Sequence, residues 1–330
     1  MPKALIARER LQTLLDSPAR TNTRIAIVGD AMLDIYLRGD VDRISPEAPV
    51  PVVRVRERKL ALGGAANVAQ NVGALGATAE LIAAVGDDLS GAELRRMLTA
   101  LGGPARGLVS TARPTTTKTR VVARGQQVVR VDEETDADLA GKEVDTLLAA
   151  VDRAVADAGA LILEDYNKGV LVEAVIRRAI DAANKKKIPV IVDPKYRNFF
   201  SYRGATVFKP NRRELEAALG AAVDLEHPEA LPAVLTRLGV EQLLLTLSER
   251  GMALIDAGAG VRRIPATARE VYDVVGAGDT VTAYLAAMMA VGATALEAAV
   301  IANYAAGVEV GKLGAATVSP AEILAAYDAG

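Results

Sequence analysis

The sequence contains no cysteine and only one histidine, His227, among its 330 residues. Thiolates and imidazoles supply many of the nucleophiles, general bases and zinc ligands of enzymes. The lack of cysteine therefore excludes thiol chemistry, disulfides and cysteine-based zinc sites. We expect any acid–base chemistry of this chain to use carboxylates, lysine or tyrosine.

Charge of one sign is also missing. Lys and Arg together number 39 and Asp and Glu number 41, for a formal net charge of −2. Proteins that bind nucleic acid through its phosphates need a basic surface, so we expect no nucleic acid partner. With 51% hydrophobic residues the chain is too apolar for intrinsic disorder. These values favour a folded protein that binds small molecules.

Long apolar runs are absent too. The longest uncharged stretch, residues 280–296, is Ala-rich and falls just short of a membrane span, so it predicts a buried helix. Residues 1–16 carry charges among their apolar residues, which is typical of a short amphipathic helix and not of a signal peptide. We therefore expect a cytoplasmic protein without membrane contact.

Short apolar runs, by contrast, alternate with helical patterns along the chain. Each run suits a strand buried on both faces, and strands that alternate with helices predict an α/β fold with a doubly wound, mostly parallel sheet flanked by helices. The runs are residues 24–30, 160–165, 188–193 and 242–248. Ligands bind such sheets beyond the carboxyl ends of the strands. The polar residues that fall there are Asp30, Asp165, Asp193 and Ser248.

Residues 50–62 and 116–134 alternate polar and apolar side chains instead. A period of two predicts strands with one face in water. We expect these strands to form a small β-sheet that stands off the main sheet as a lid, a dimer surface or both. No repeat or long linker divides the chain, so we expect residues 1–330 to form one domain with the lid strands inserted in it.

The most informative motif is VYDVVGAGDTVTA at residues 271–283. Gly276, Ala277 and Gly278 precede a predicted helix, where glycines let the backbone turn tightly and aim N–H groups at an anion. Asp279 in that place would repel a phosphate unless it had a task, such as accepting a proton from an attacking hydroxyl. The alternative is that Asp279 only caps the helix, and the spacing alone favours neither.

A second motif, LGGAANV at residues 62–68, places paired glycines before a helix. Gly64 would let a ligand hydroxyl approach the backbone, and the amide of Asn67 offers both a donor and an acceptor. Taken alone, close helix packing is the simpler explanation of such glycines. Asp34, soon after the first predicted strand, would either chelate sugar hydroxyls or lie as a capping or solvated loop acid.

Asn211 and Glu214 begin a predicted helix after a short strand. Hard cations prefer oxygen ligands, so this pair could hold Mg²⁺ through water molecules. The alternative is a capping interaction at the start of the helix, and the pair by itself favours capping.

Lys118, Arg120 and Arg124 stand at even spacing, so a strand that continued through them would project all three from one face. Three charged donors on one face suit a phosphate already present on the substrate. The alternative is a solvated charged edge, which is common on exposed strands. Lys195, just beyond the strand predicted at residues 188–193, is the reserve candidate for the same phosphate.

Taken together and in order, these motifs resemble the ribokinase/PfkB family of carbohydrate kinases over about residues 24–330. The resemblance implies a doubly wound fold with a β-sheet lid that often dimerises, and ATP and Mg²⁺ as cofactors. Its implied residue roles are Asp279 as catalytic base, Gly276 to Asp279 as anion hole, Asp34, Gly64 and Asn67 as sugar contacts, and Asn211 and Glu214 as the magnesium and phosphate motif.

The resemblance also implies a nucleotide site. The positions that match it are Thr246, Ser248, Gly251 and Asn303. Ser248 stands where many members have glycine, and Val274 and Val275 replace the usual threonines before the GAGD motif.

Within the family, several segments resemble most the members that phosphorylate the anomeric 1-hydroxyl of D-glycero-β-D-manno-heptose 7-phosphate for ADP-heptose and lipopolysaccharide synthesis. They are residues 29–36, 43–51, 63–69, 164–169 and 192–195. Because the chain ends at Gly330, the resemblance implies a form with the kinase alone. The alternatives are a fructose- or ribose-type kinase that acts on a hydroxymethyl group, and a non-catalytic sugar-binding protein on the same fold.

Overall fold

A computed structural model describes residues 5–103, 105–268 and 271–330. Within these residues the strands are β1 (Arg24–Gly29), β2 (Ala31–Ile44), β3 (Pro51–Gly64), β4 (Thr78–Gly86), β5 (Leu108–Thr111), β6 (Thr117–Ala123), β7 (Gln126–Glu133), β8 (Ala160–Glu164), β9 (Val190–Asp193), β10 (Val207–Phe208), β11 (Gln242–Thr246), β12 (Met252–Asp256) and β13 (Gly260–Ile264).

The helices of the same residues are α1 (Arg8–Arg20), α2 (Ala65–Ala74), α3 (Leu89–Ala100), α4 (Lys142–Asp157), α5 (Glu173–Lys186), α6 (Arg212–Leu219), α7 (Leu231–Leu238), α8 (Ala277–Ala290), α9 (Ala295–Glu309) and α10 (Pro320–Ala329).

The main sheet of the described residues has nine strands in the order β13-β12-β11-β10-β9-β8-β1-β4-β5. β1 pairs in parallel with β4 and β8, and the strands from β8 to β11 continue in parallel. β12 and β13 add an antiparallel edge. The predicted α/β fold with a mostly parallel sheet is confirmed. The outer strands β4, β5, β12 and β13 were not predicted from the sequence.

Helices cover both faces of this sheet. Successive side chains of a strand point to opposite faces, and in β1 the pair Ile25 and Ile27 packs with α1, α2, α8 and α9, whereas Ala26 and Val28 pack with α4 and α5. All four side chains are buried. Burial of apolar area on both faces, at roughly 25 cal/mol per Å², stabilises the layered arrangement.

The uncharged stretch at residues 280–296 belongs to two helices rather than one. α8 ends at Ala290, α9 begins at Ala295, and Gly292 adopts a φ of 87° in the turn between them. The described side chains of α8 from Thr280 to Met288 are all buried. A helix buried on every side cannot accommodate a charge without a partner, which explains the composition of the stretch.

The second sheet is the predicted lid. It has four strands in the order β3-β2-β6-β7. β3 occupies the predicted residues 50–62 almost in full, and the predicted residues 116–134 form the hairpin of β6 and β7. β2, which lies between β3 and β6 and is separated from β1 by Asp30 alone, was not predicted from the sequence. Asp34 therefore lies inside a strand and not in a loop.

The prediction that Arg124 shares a strand face with Lys118 and Arg120 is wrong. β6 ends at Ala123, and Arg124 lies in the hairpin turn with a φ of 51°, followed by Gly125 with a φ of 78°. Its guanidinium donates to the carbonyl oxygen of Val41 at 3.0 Å. The two residues that allow positive φ in this turn end the strand before the expected alternation can continue.

The amphipathic helix predicted for residues 1–16 is α1, which runs from Arg8 to Arg20 and buries Leu11, Leu14 and Leu15. Residues 1–4 of the predicted helix lie outside the described residues. Across the described residues, we find no helix with the length and apolar character needed to span a bilayer.

Candidate active site

The polar residues predicted at the carboxyl ends of the parallel strands do meet at one edge of the main sheet. Asp30 directly follows β1, Asp165 follows β8, and Asp193 is the last residue of β9. The backbone ties them together, since Asp30 donates its N–H to the carbonyl of Glu164 and Asp165 donates its N–H to the carbonyl of Asp193. The start of α8 packs against this edge and delivers the GAGD motif to it.

The N-cap residue before α8 adopts a conformation that favours glycine. Gly276 has a φ of 95°, and a Cβ atom there would lie 3.1 Å from Nδ2 of Asn67 and 3.1 Å from Cβ of Ala315. The first amides of a helix have no acceptor inside the helix. Ala277 donates weakly to the carbonyl of Val274 at 3.4 Å, which leaves the next amides of the turn, those of Gly278 and Asp279, as the better donors to an anion.

Asp279 is buried, with 5% of its surface exposed. Its Oδ2 accepts a hydrogen bond of 2.7 Å from Nδ2 of Asn67, and its Oδ1 accepts one of 2.7 Å from the hydroxyl of Tyr166. Burial raises the pKa of Asp279 to about 6, while these two hydrogen bonds oppose the rise because they stabilise the ionised form. Both partners come from outside α8, so the carboxylate is built into a site rather than placed there as a cap.

Three carboxylates crowd at this point. One oxygen each of Glu164, Asp193 and Asp279 lie within 4.8 Å of one another. Lys209 places its ammonium 2.7 Å from Oδ2 of Asp193 and supplies a positive charge. Both oxygens of Glu164 lack a hydrogen-bond partner among the described residues. Burial, followed by the charges of Asp193 and Asp279, raises the pKa of Glu164 well above its usual range.

The glycine pair brings the lid strands close to this centre. Gly64 ends β3 and caps α2 with a φ of 56°, and a Cβ atom there would lie 2.4 Å from the carbonyl oxygen of Asp30. A Cβ atom on Gly63 would lie 2.7 Å from Oδ2 of Asp34. The glycines thus permit a close approach to β2 rather than helix packing. Asp34 itself is buried and accepts a hydrogen bond from the guanidinium of Arg120.

Asp30 organises the loop after β8. Its buried carboxylate accepts hydrogen bonds from the backbone N–H groups of Tyr166 at 2.8 Å, Lys168 at 2.9 Å and Val170 at 3.2 Å. These three hydrogen bonds fix the loop, and the carboxylate of Asp30 does not face solvent.

Lys118 and Arg120 of the lid are both paired with acidic side chains. Lys118 lies 3.3 Å from Oδ2 of Asp132 and 3.1 Å from Oε2 of Glu134, and Arg120 is paired with Asp34. The side chains of Lys118 and Arg120 are 17% and 15% exposed. A solvated strand edge would leave them open to water, so that alternative does not fit these two residues.

On the other side of the centre, Asn211 and Glu214 form a capping box at the start of α6. Glu214 also accepts a hydrogen bond from Lys195, whose ammonium lies 5.6 Å from the ring centre of Tyr166. The predicted alternative, a capping interaction, is therefore present. Lys195 lies between Glu214 and Tyr166. Thr246 pairs with Asn211 through an isolated bridge, which brings it to the same place.

Three further residues expected in the nucleotide site remain: Ser248, Gly251 and Asn303. Ser248 has a φ of 54°, a conformation that favours glycine, and Gly251 has a φ of 84° with room for no Cβ, since that atom would lie 2.1 Å from the carbonyl oxygen of Ile264. Asn303 in α9 donates its side-chain amide to the carbonyl oxygen of Pro265 at 2.9 Å.

Sequence reasoning missed Tyr166, Glu164 and Lys209. The segment of residues 164–169 and the acids at the strand ends were visible signals. However, a strand end shows only that a residue lies near the edge, not which side chain turns toward Asp279.

Comparison with known proteins decides the family. The model of the pfkB family carbohydrate kinases matches residues 22–322. The chain belongs to this family. The bifunctional protein HldE of Rhodospirillum rubrum is 46% identical over 310 residues, which are 92% of this chain and 62% of that protein. HldE of Pelobacter propionicus is 48% identical over 309 residues, 90% of this chain and 62% of that protein. The chain thus spans less than two thirds of these relatives.

Solved structures share the fold. Ribokinase of Arabidopsis thaliana, solved with ribose and ATP, has a TM-score of 0.72 at 22% identity, over 92% of this chain and 98% of that one. The tetrameric inhibited form of phosphofructokinase-2 from Escherichia coli has a TM-score of 0.76 at 19% identity, over 93% and 98%. The expected ribokinase-like fold and carbohydrate kinase family are confirmed.

The pKa of Asp279 leads to a testable pH dependence. If Asp279 accepts the proton of the attacking hydroxyl, it must be ionised, so activity is expected above its pKa and is lost as the pH falls through about 6. The value of kcat/KM reports the free enzyme. We expect its acid limb near pH 6, measured by initial rates from about pH 3 to about pH 8.5, a range that includes both the ordinary value of about 4 and the shifted value. A limb near pH 4 would show that burial does not control this carboxyl.

Proposed function

We propose that the chain is an ATP-dependent kinase that phosphorylates the anomeric 1-hydroxyl of D-glycero-β-D-manno-heptose 7-phosphate to the 1,7-bisphosphate, for ADP-heptose and lipopolysaccharide core synthesis. The observation that carries this proposal is the buried carboxylate of Asp279 at the amide-lined start of α8, beside the glycine pair and Asn67. The similarity to the HldE proteins and the segments that resemble heptose phosphate kinases support this choice of sugar.

The proposed reaction moves one phosphoryl group and one proton. The oxygen of the 1-hydroxyl forms a bond to the γ-phosphorus of ATP, the bond from that phosphorus to the bridging oxygen breaks, and ADP leaves. Asp279 takes the hydroxyl proton. Phosphoryl transfer passes through a loose transition state, so positioning and charge stabilisation matter more than the base. The amides of Gly278 and Asp279 provide that stabilisation at the start of α8.

Mg²⁺ fits the residues present. Each carboxylate oxygen of Glu214 already accepts one hydrogen bond, from the backbone of Asn211 at 2.8 Å and from Lys195, and keeps a further lone pair. Since Mg²⁺ usually retains several waters in proteins, contact through water is compatible with the capping box. Glu164 and Asp193 offer further oxygen donors at the same edge. When bound, the ion would neutralise phosphate charge.

The experiment that tests the proposed function is a substrate screen of the purified chain with ATP and phosphorylated or free sugars, with the product position read by NMR. Consumption of ATP only with heptose 7-phosphate and a new phosphate at carbon 1 is the expected result. Phosphate on a terminal hydroxymethyl of another sugar would favour the fructose- or ribose-type alternative. Binding of sugar without ATP consumption would favour a silent sugar-binding protein.

We propose further that residues 1–330 act as one kinase domain in the cytoplasm, with two copies joined through the lid. The face of the lid opposite Lys118 and Arg120 carries Val129 and Val131, which are 48% and 50% exposed. Burial of such a face against a second copy would remove apolar surface from water.

For Asp279→Asn we expect normal folding and ATP binding with a loss of roughly 10²- to 10⁴-fold in turnover, because the positioned base is gone while the amide can still bond to Asn67 and Tyr166. Steady-state kinetics and calorimetry measure the two effects. Asp42→Asn, which alters an exposed acid of the lid, is the control. Near-normal turnover of folded Asp279→Asn would remove Asp279 from the role.

The lid cations separate recognition of the sugar phosphate from general damage. Lys118→Met should weaken binding of the phosphorylated sugar by about 10- to 150-fold, as expected for one charged hydrogen bond, and should spare the unphosphorylated sugar. Arg120→Ala should weaken both sugars because Arg120 holds Asp34. Arg124→Ala, in the hairpin turn, should affect neither. Equal KM values for Lys118→Met and the unaltered protein would remove Lys118 from this role and leave Lys195 as the candidate for the phosphate.

Glu214→Gln tests the metal. Loss of one negative charge at the start of α6 should raise the Mg²⁺ concentration that gives half-maximal rate, while the capping hydrogen bonds survive in the amide. Rates across a Mg²⁺ titration at fixed ATP measure the effect. An unchanged Mg²⁺ dependence would leave Asn211 and Glu214 with their capping role alone.

A further inference from the structure

Tyr166 contacts three separate parts of the candidate site. Its hydroxyl donates to Oδ1 of Asp279 at 2.7 Å. The edge of its ring, at Cδ2, lies 3.5 Å from the position of a Cβ atom on Gly64, and the ammonium of Lys195 lies 5.6 Å from the ring centre. The ring therefore lies between Gly64, which we expect to face the sugar, and Lys195, the second candidate for binding the substrate phosphate.

The backbone under this ring is fixed. Asp30 accepts the N–H of Tyr166 through one carboxylate oxygen, and its carbonyl accepts the N–H of Ala65, the residue after Gly64. Asp30 is 1% exposed. One buried residue thus fixes both the loop that carries Tyr166 and the turn that carries Gly64.

We propose that Tyr166 is a positioning residue, whose hydroxyl fixes the carboxylate plane of Asp279 toward the attacking hydroxyl and whose ring forms the floor of the sugar site. This inference rests on the proposed role of Asp279 as the base.

The geometry gives the hydroxyl a task that Asn67 cannot perform alone. A carboxylate held through one oxygen can still rotate about its Cβ–Cγ bond. Here Asn67 of α2 holds Oδ2 and Tyr166 of the loop after β8 holds Oδ1, so two separate elements fix the plane. Positioned groups lose rate steeply when their orientation is lost.

Tyr166 remains a donor throughout the working pH range. Burial, followed by the negative charges of Asp279, Glu164 and Asp193, raises its pKa well above the ordinary value. A phenol that does not ionise cannot replace Asp279 as the base, which fits a positioning role.

The test compares two tyrosines with the same kind of bond. Tyr202 donates to Oδ2 of Asp165 at 2.7 Å. Asp165 directly precedes Tyr166 in the chain, but this hydrogen bond does not involve Asp279. Tyr166→Phe keeps the ring and should lower kcat by about 10- to 150-fold with the sugar KM within about twofold of the unaltered protein. Tyr166→Ala should also raise the sugar KM, since the floor is lost. Tyr202→Phe should leave both constants unchanged per folded protein.

Circular dichroism and melting temperature verify the fold of each variant. A kcat of Tyr166→Phe equal to that of the unaltered protein, or an equal loss in Tyr202→Phe, would overturn the positioning role. These results differ from failure of the proposed function, in which the unaltered protein does not phosphorylate heptose 7-phosphate. In that case the same variants are compared on whichever sugar the substrate screen finds to be turned over.

Discussion

The site depends on one buried carboxylate that must be able to ionise. Asp279 has lost most contact with water, which disfavours its charge, and two hydrogen bonds of 2.7 Å restore part of what water would have supplied. A pKa of about 6 is the balance of these effects. This value leaves the group ionised at neutral pH and basic enough to take a proton, as its proposed role as general base requires.

The neighbouring charges are arranged around this requirement. Three negative charges within 4.8 Å would repel one another. The ammonium of Lys209, 2.7 Å from Oδ2 of Asp193, offsets part of this repulsion, and burial raises the pKa of Glu164. In the lid, paired cations lie on the same face as Asp34, and exposed valines lie on the opposite face.

Much of this could be predicted from the sequence because its signals are local. Buried strands such as β1, β8, β9 and β11 read as apolar runs, and the GAGD motif marks the start of a helix by its glycines. β2 was missed because it follows β1 with Asp30 alone between them, so one apolar run hid two strands that lie in different sheets. The even spacing of Arg124 was misleading because the residue lies in a hairpin turn.

Tyr166 could not be found in this way, since its role arises from contacts with Asp279, Gly64 and Lys195, which are distant in the sequence. Direct titration of Asp279 is the sharpest test of the account. In protein labelled with ¹³C at aspartate carboxyls, the Asp279 signal is identified by its loss in Asp279→Asn. We expect this signal to titrate near pH 6 in the free protein. Titration near the ordinary value of about 4 would contradict this expectation.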